Sequence, residues 1–322
     1  MWGRSSMWVK RYPEGARQQL GATGAVVTIG AYDGVHVGHQ ALLAKTVEIA
    51  GELGCPAVVM SFEPTPKEFF MRERAPARIT RFRERAIQFA ELGMDGFLCP
   101  RFDAGLAAIS VEDFINTFLL DALATRHLVI GDDFRFGKHA EGSSDDLIRA
   151  GKKSGFDVTH FGSVLSGGER ASSTLIREAL QSGDMATVNT MLGRPYALSG
   201  RVVHGQQLGR TLGFPTANIR LKRRVSPVQG VFAVRTSQID GRRYDGVASI
   251  GTRPTVNGQG VLLEVFLFDF DGDLYGRYLD VELVGKLRDE EKFSSLDEMT
   301  VQMHRDVAAA KAVLARPDSV AS

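Results

Sequence analysis

Apolar and polar positions along this chain follow two different rhythms. Up to about Gly183, short apolar runs alternate with longer stretches of helical period. Residues 25–29 form a largely β-branched run, and 40–53 then place Leu43, Val47, Ala50 and Leu53 at helical spacing. The alternation continues with strands predicted at 57–62, 96–99, 127–130 and 157–161, and helices through 83–92, 114–123, 144–154 and 174–181. Such a pattern predicts a parallel sheet covered on both faces, with ligands at the carboxyl ends of the strands. After Gly193 the helical period nearly disappears. Strands are predicted at 198–204, 230–237, 244–250, 262–268 and 279–284, with Gly-, Pro- or Asp-rich turns between them. This spacing predicts a closed antiparallel barrel. One helix follows at 295–314, where Ser295 and Glu298 have capping-box spacing. The stretch 184–195, itself partly helical in pattern, joins the halves, which gives expected domains of 16–184 and 185–316.

Composition narrows the function classes. Lys plus Arg is 39 against 38 for Asp plus Glu, a formal net charge of +1, so no bulk electrostatic affinity for nucleic acid is expected. The apolar run 261–268 is far shorter than a membrane span and is interrupted by Glu264, and the first residues carry no signal-type apolar core. Cys55 and Cys99 form neither a CxxC pair nor a zinc ligand set. A reducing, cytoplasmic compartment and no membrane partner are expected.

Directly after the first predicted strand comes Gly30-Ala31-Tyr32-Asp33-Gly34-Val35-His36-Val37-Gly38-His39-Gln40, and then a helix. Histidines three apart at a helix start can point to one side. Gly34 and Gly38 allow close backbone approach, and the first-turn amides favour an anion. Imidazoles there could stabilise charge on an α-phosphate during nucleotidyl transfer. A zinc pair or a simply capped helix start is the alternative. Ser173 and Thr174 stand at a second strand-to-helix step, where they either meet phosphate oxygens or only cap the helix, and Arg170 and Arg177 offer forked donors. In 131–137, Phe134 and Phe136 could flank a planar ring that Asp133 orients, or could be core residues at a strand-end turn.

The second half opens with Gly205, Gly209, Arg210 and Gly213 before Phe214-Pro215-Thr216-Ala217-Asn218. There is no P-loop and no dinucleotide fingerprint at this site. Glycines four apart can fold a loop over polyphosphate through backbone amides. Thr216 and Asn218 put two neutral oxygens on one side of an extended segment, a set Mg2+ accepts when nucleotide phosphates complete its shell; a turn leading into a strand is the plainer alternative. Glu264 interrupts an apolar strand, a costly placement unless it faces an opening or a partner. Lys222-Arg223-Arg224 is expected to be a solvated loop.

These segments, in this order, resemble the HxGH nucleotidylyltransferases and, more closely, the bacterial bifunctional riboflavin kinase/FAD synthetase family. The resemblance runs from about Gly24 to Arg305. It rests on the segment from Gly30 to Gln40, with Tyr32 at the aromatic place, on Ser61-Phe62-Glu63-Pro64, on 131–137, on Arg170–Arg177, on the PTAN run and on Gly251-Thr252-Arg253-Pro254-Thr255. It implies an α/β nucleotidylyltransferase-type, Rossmann-like domain followed by an antiparallel β-barrel riboflavin kinase domain with a C-terminal helix. It also implies ATP-dependent phosphorylation of riboflavin to FMN, then adenylylation of FMN to FAD with release of pyrophosphate. Mg2+ would accompany ATP, and FMN and FAD would be substrate and product rather than prosthetic groups. Carried onto this chain, His36, His39 and Glu264 would be catalytic. Gly30, Asp33, Gly34, Gly38, Arg170, Ser173, Thr174, Arg177, Gly205, Gly209, Arg210 and Gly213 would bind ATP. Phe62, Asp133, Phe134, Phe136 and Arg288 would bind flavin, and Thr216 and Asn218 the metal. Two positions depart from the pattern: Ala140 stands where many relatives carry arginine, and Phe266 where histidine or tyrosine is common. A flavin sensor or carrier of the same ancestry without catalysis is the alternative.

Overall fold

The computed structural model describes residues 7–316 except 167, 206–208, 210–211, 222, 224, 237–238 and 256–257; side chains of 166 and 253–259 are likewise not described. The chain forms two compact units, 1–76 with 80–171, and 77–79 with 172–322.

In the first unit, six parallel strands, β1 (Trp8–Lys10), β2 (Ala25–Ile29), β3 (Ala57–Met60), β4 (Gly96–Leu98), β5 (Thr125–Gly131) and β6 (Asp157–Phe161), form one sheet in the order β1-β4-β3-β2-β5-β6. Alternate residues feed opposite faces. Val27, Ile29, Val58 and Met60 join one apolar cluster, and Val26, Ala57, Val59 and Val129 another. Burial on both faces explains why these strands read as continuous apolar runs. The order reverses direction at β2, so β2 and β5 flank a topological switch point, where the carboxyl ends leave a crevice. The loops after β2 and β5 are those that carry 30–36 and 131–137. β1 was not among the expected strands, and the expected helix at 114–123 is a helical turn, Val111–Phe114, running into π-helix at Ile115–Ala122. A short hairpin, β7 (Leu165–Ser166) with β8 (Glu169–Arg170), lies outside the sheet.

In the second unit, β9 (Ala197–Val203), β10 (Thr216–Arg220), β11 (Gly230–Thr236), β12 (Asp245–Thr255), β13 (Gly258–Leu267) and β14 (Tyr278–Arg288) close into an antiparallel barrel, β10-β13-β12-β11-β14-β9. β10 is the extended segment expected at Thr216–Asn218, continued to Arg220. Inward residues such as Ile219, Phe232, Ile250, Leu263, Val265 and Val281 fill the barrel. The helix Leu296–Leu314, N-capped by Ser295 with its hydroxyl accepting from Glu298 N, packs Ala310 and Leu314 on the outer face around Ala233 and Phe268.

The helices Ser173–Ser182 and Met185–Leu192 belong to this second unit, so the division falls at 171/172, where the sequence pattern places it at 184/185. Ile176, Leu180, Val188 and Leu192 share the barrel's apolar cluster, which a helix facing only the first unit would not do. Residues 77–79 enter the same unit. Ile79 is buried in the cluster, the Arg223 guanidinium donates to the carbonyls of Arg78 and Ile79, and Arg177 Nε donates to the carbonyl of Ala77. Arg223 is therefore a buried structural clamp rather than part of a solvated loop; Lys222 and Arg224 lie outside the described residues.

Candidate active sites

At the switch point of the first unit, the helix Val37–Leu53 starts on His36, whose Nδ1 accepts from His39 N (3.3 Å). The two imidazoles stack, centroids 3.6 Å apart with 19° between planes. Capping through Nδ1 is thus one real function of His36. No third His, Cys, Asp or Glu that could complete a metal site accompanies the pair among the described residues. His39 Nδ1 is sealed from solvent without a hydrogen-bond partner, and Tyr32 meets the ring edge-on at 5.1 Å. Burial, and then the nearby His36 charge, hold the His39 pKa well below the ordinary histidine value.

The loop that presents this pair is held in an unusual backbone path. Tyr32, Gly34 and Val35 all have positive φ, at 51°, 87° and 44°. Such strain persists where surroundings over-determine it. Here Tyr32 shares a 2.6 Å hydrogen bond with Thr28, and Gln40 Nε2 donates to Val35 O. Asp33 Oδ1 accepts from Thr80 N (2.9 Å) and its hydroxyl, while Gly34 N donates to Thr80 Oγ1 (2.8 Å). The Asp33 carboxylate therefore braces the turn that presents the histidine pair. Gly30 and Gly38 flank the turn, with Gly38 packed tightly on the His36 ring.

Along the neighbouring strand ends, Phe62 is half-buried and meets Phe102 edge-on. Phe134 stacks on Phe136, and Phe136 is a core side chain against Phe114. The strand-end core alternative therefore describes Phe136, and Phe134 is the ring left half-exposed. Asp133 and Arg170 pair with each other, both exposed. Ser172, not Ser173 or Thr174, caps the helix Ser173–Ser182, its hydroxyl accepting from Leu175 N, so those two residues open the first turn. Arg177 points Nε and Nη1 at the carbonyls of Ala77 and Ser173 rather than presenting a full fork to solvent. These three residues lie in the second compact unit.

In the barrel unit, register brings the expected residues together. Thr216 faces Phe266 and Asn218 faces Glu264 across β10 and β13, while Ser249 of β12 faces Glu264 from the other side. Their neighbours Ala217, Ile219, Leu263 and Val265 turn to the barrel interior, so Thr216, Asn218 and Glu264 share the outer face. Asn218 is only 6 % exposed. Gly205 lies directly on its carboxamide: a Cβ there would stand 2.4 Å from the amide carbon, so this approach requires glycine. Phe214 N and Leu212 N both donate to Gly209 O, which closes the turn containing Gly213; Arg210 lies outside the described residues. A cavity of about 560 Å³ opens beside Thr216, walled by Val202, Pro215, Leu267, Asp273 and Tyr275. That volume is in the range of small-molecule sites.

Phe266 packs edge-on to Phe214 (5.3 Å) and joins the apolar cluster beneath the helix Leu296–Leu314. A ring without a polar group suits that setting. Arg288 makes a bidentate pair with the buried Asp306, Nε at 2.9 Å and Nη2 at 2.8 Å, which raises its pKa further. Its fork is thus anchored to the helix, a role the flavin assignment did not include. Asp306 and Arg85, whose guanidinium reaches the loop after β2, carry no sequence signal because isolated charged residues on a helix look solvent-facing, and Thr80 carries none because a lone threonine before a helix reads as a loop residue.

Comparison with known proteins agrees with both halves. A family model for FAD synthetase matches residues 18–175 and one for riboflavin kinase matches 192–314. The bifunctional riboflavin kinase/FMN adenylyltransferase of Escherichia coli K12 is 49 % identical over 89 % of this chain and 92 % of its own length. That of Pseudomonas fluorescens is 48 % identical over 91 % and 94 %. A crystal structure described as a macrolide-efflux protein from Streptococcus pneumoniae aligns with TM-score 0.79 at 28 % identity, covering 96 % of this chain and 99 % of that one. Among the described residues of this chain, no helix is long and apolar enough to cross a membrane. With two matching domain models and near full-length relatives, the chain belongs to the bifunctional riboflavin kinase/FMN adenylyltransferase family.

Proposed function

We propose that the two activities of this transferase reside in separate units, adenylylation at the His36–His39 pair and phosphorylation at the Asn218–Glu264 pair. The observation that carries this reading is that each unit builds its own polar constellation. One sits at a sheet switch point, the other on three strands in register.

In the barrel, the terminal ribityl hydroxyl of riboflavin attacks the γ-phosphorus of ATP. The new O–P bond forms as the bond to the β-phosphate oxygen breaks, leaving ADP, and Glu264 accepts the hydroxyl proton. The Thr216 hydroxyl and Asn218 carboxamide are hard, neutral oxygens beside a carboxylate, and the packing of Gly205 fixes the carboxamide in place. That donor chemistry fits Mg2+, which would be held by these two residues and, when bound, would neutralise phosphate charge.

In the α/β unit, an FMN phosphate oxygen attacks the α-phosphorus of a second ATP and pyrophosphate leaves. The nucleophile is already anionic, so no base is required. The His36 imidazole and the first-turn amides of Val37–Leu53 stand where charge accumulates and stabilise it. Phe62 and Phe134 provide apolar surface for the flavin. Both polar sets are retained, which disfavours an inactive flavin sensor. Two free cysteines fit a reducing cytoplasm.

The test is a time course with riboflavin, ATP and Mg2+, followed by separation of the flavins. FMN should appear first and FAD second. Tight binding with unchanged riboflavin would instead identify a sensor.

A further inference from the structure

Arg85 lies on the helix Phe82–Glu91 and is 1 % exposed. Burying a guanidinium is costly unless its geometry is well matched. Here the fork spans three groups from two separate segments. Nη1 donates to Ala31 O (2.8 Å) and Ser61 Oγ (2.9 Å), and Nη2 to Glu63 Oε2 (2.8 Å). Ala31 belongs to the loop that presents His36 and His39. Ser61 and Glu63 stand on either side of Phe62. The same helix places Phe89 edge-on against Tyr32 at 5.6 Å, and Tyr32 in turn meets His39. One helix therefore braces the loop twice and grips both neighbours of Phe62.

We propose that Arg85 is a positioning residue for adenylyl transfer: it fixes the loop of His36 and His39 against the segment of Phe62. This sets the α-phosphate relative to the flavin phosphate. The inference rests on the reading of His36–His39 as the phosphate end and Phe62 as the flavin end. An error of about 1 Å in such a relationship can cost on the order of 100-fold in rate. A planar fork is needed, because an ammonium group donates its three N–H bonds from one nitrogen, whereas Arg85 spreads these contacts over two fixed nitrogens.

The experiment compares Arg85→Lys and Glu63→Gln in the full chain, measuring kcat and KM for FMN adenylylation, with riboflavin phosphorylation as an internal control. Arg85→Lys should lose about 10- to 100-fold in kcat. Its KM for ATP and FMN should stay within about threefold, and riboflavin phosphorylation should be unchanged. Glu63→Gln should give a smaller loss of the same kind, and it carries the test if Arg85→Lys does not fold. A parental kcat in the folded variant, or a rise in KM with kcat intact, would overturn the proposal. His39→Ala serves as the separate control. If it left FAD formation intact, the underlying site reading would fall whatever Arg85 does.

Discussion

Asn218 and Glu264 stand opposite each other on antiparallel strands, the carboxamide pinned by Gly205 and the carboxylate flanked on its own strand by Leu262 and Phe266. An amide and a carboxylate so placed can divide labour, one holding a phosphate-bound cation and the other taking a proton. Glu264→Gln keeps the shape and removes the base, so riboflavin phosphorylation should fall about 10²–10⁴-fold in kcat. Riboflavin affinity and FMN adenylylation should hold. Steady-state kinetics of both reactions in one preparation check this, and a parental phosphorylation rate would exclude Glu264 as the base.

Replacing His36 or His39 by alanine should abolish FAD formation while FMN continues to accumulate. The two rings act as a stacked unit, so the double variant should be little worse than either single one. Additive losses would show that the rings work independently.

His39 also predicts a pH dependence of stability. Its folded pKa is depressed, chiefly by burial, so the unfolded chain binds a proton that the folded chain does not. The stabilisation is complete above the unfolded value near pH 6.5 and is lost as pH falls toward the depressed folded value. His127 shifts in the same direction, again through burial, and adds to the effect. The buried His39 contributes a slope of up to about 1.4 kcal/mol per pH unit, and the solvent-screened His127 contributes less. Denaturant unfolding of the parent and of His39→Gln between about pH 5 and 7.5 should give a shallower slope for the variant. Parallel slopes would refute the assignment.

Much of this architecture is legible from the sequence because the rhythm of apolar positions is set by burial. Ala25–Ile29 and Ala57–Met60 are buried on both faces, and the barrel strands alternate. β1 has no sequence signal because three residues carry no periodicity, whereas β10 is the extended segment expected after the turn at Pro215. Charged residues carry less information. Arg85 and Arg223 look solvated in isolation, and only the convergence of distant carbonyls makes their burial tolerable. Arg288, which the resemblance places at the flavin, and Arg177, whose fork suits phosphate, also meet protein acceptors, Asp306 and the carbonyl of Ala77. The sequence pattern marks where a fork is present but not which acceptor it meets.

The grouping of helix Ser173–Ser182 with the barrel leads to a test by truncation. Ile176, Ala179 and Leu180 are buried among barrel-unit side chains, so removing this helix opens an apolar face on that unit. Full burial of a Leu or Ile is worth about 1.5–3 kcal/mol, and two such residues with an alanine amount to about 3–6 kcal/mol. That is comparable to the entire stability of a small domain. A fragment beginning at Ser172 should therefore fold and phosphorylate riboflavin, whereas one beginning at Met185 should unfold at a markedly lower denaturant concentration or aggregate. Neither fragment carries Ile79, whose carbonyl is held by Arg223 and Tyr196, so both should be less stable than the barrel unit in the full chain. Supplying 77–79 in trans would be too weak to matter, but Arg223→Met in the full chain reproduces the loss of that clamp. Its effect on barrel unfolding should be of the same sign, because the carbonyls of Arg78 and Ile79 then lose a buried, charge-assisted donor at a cost of about 1–3 kcal/mol. Equal stability of the two fragments would place the boundary of the kinase unit after the helix, near residue 184, rather than before it.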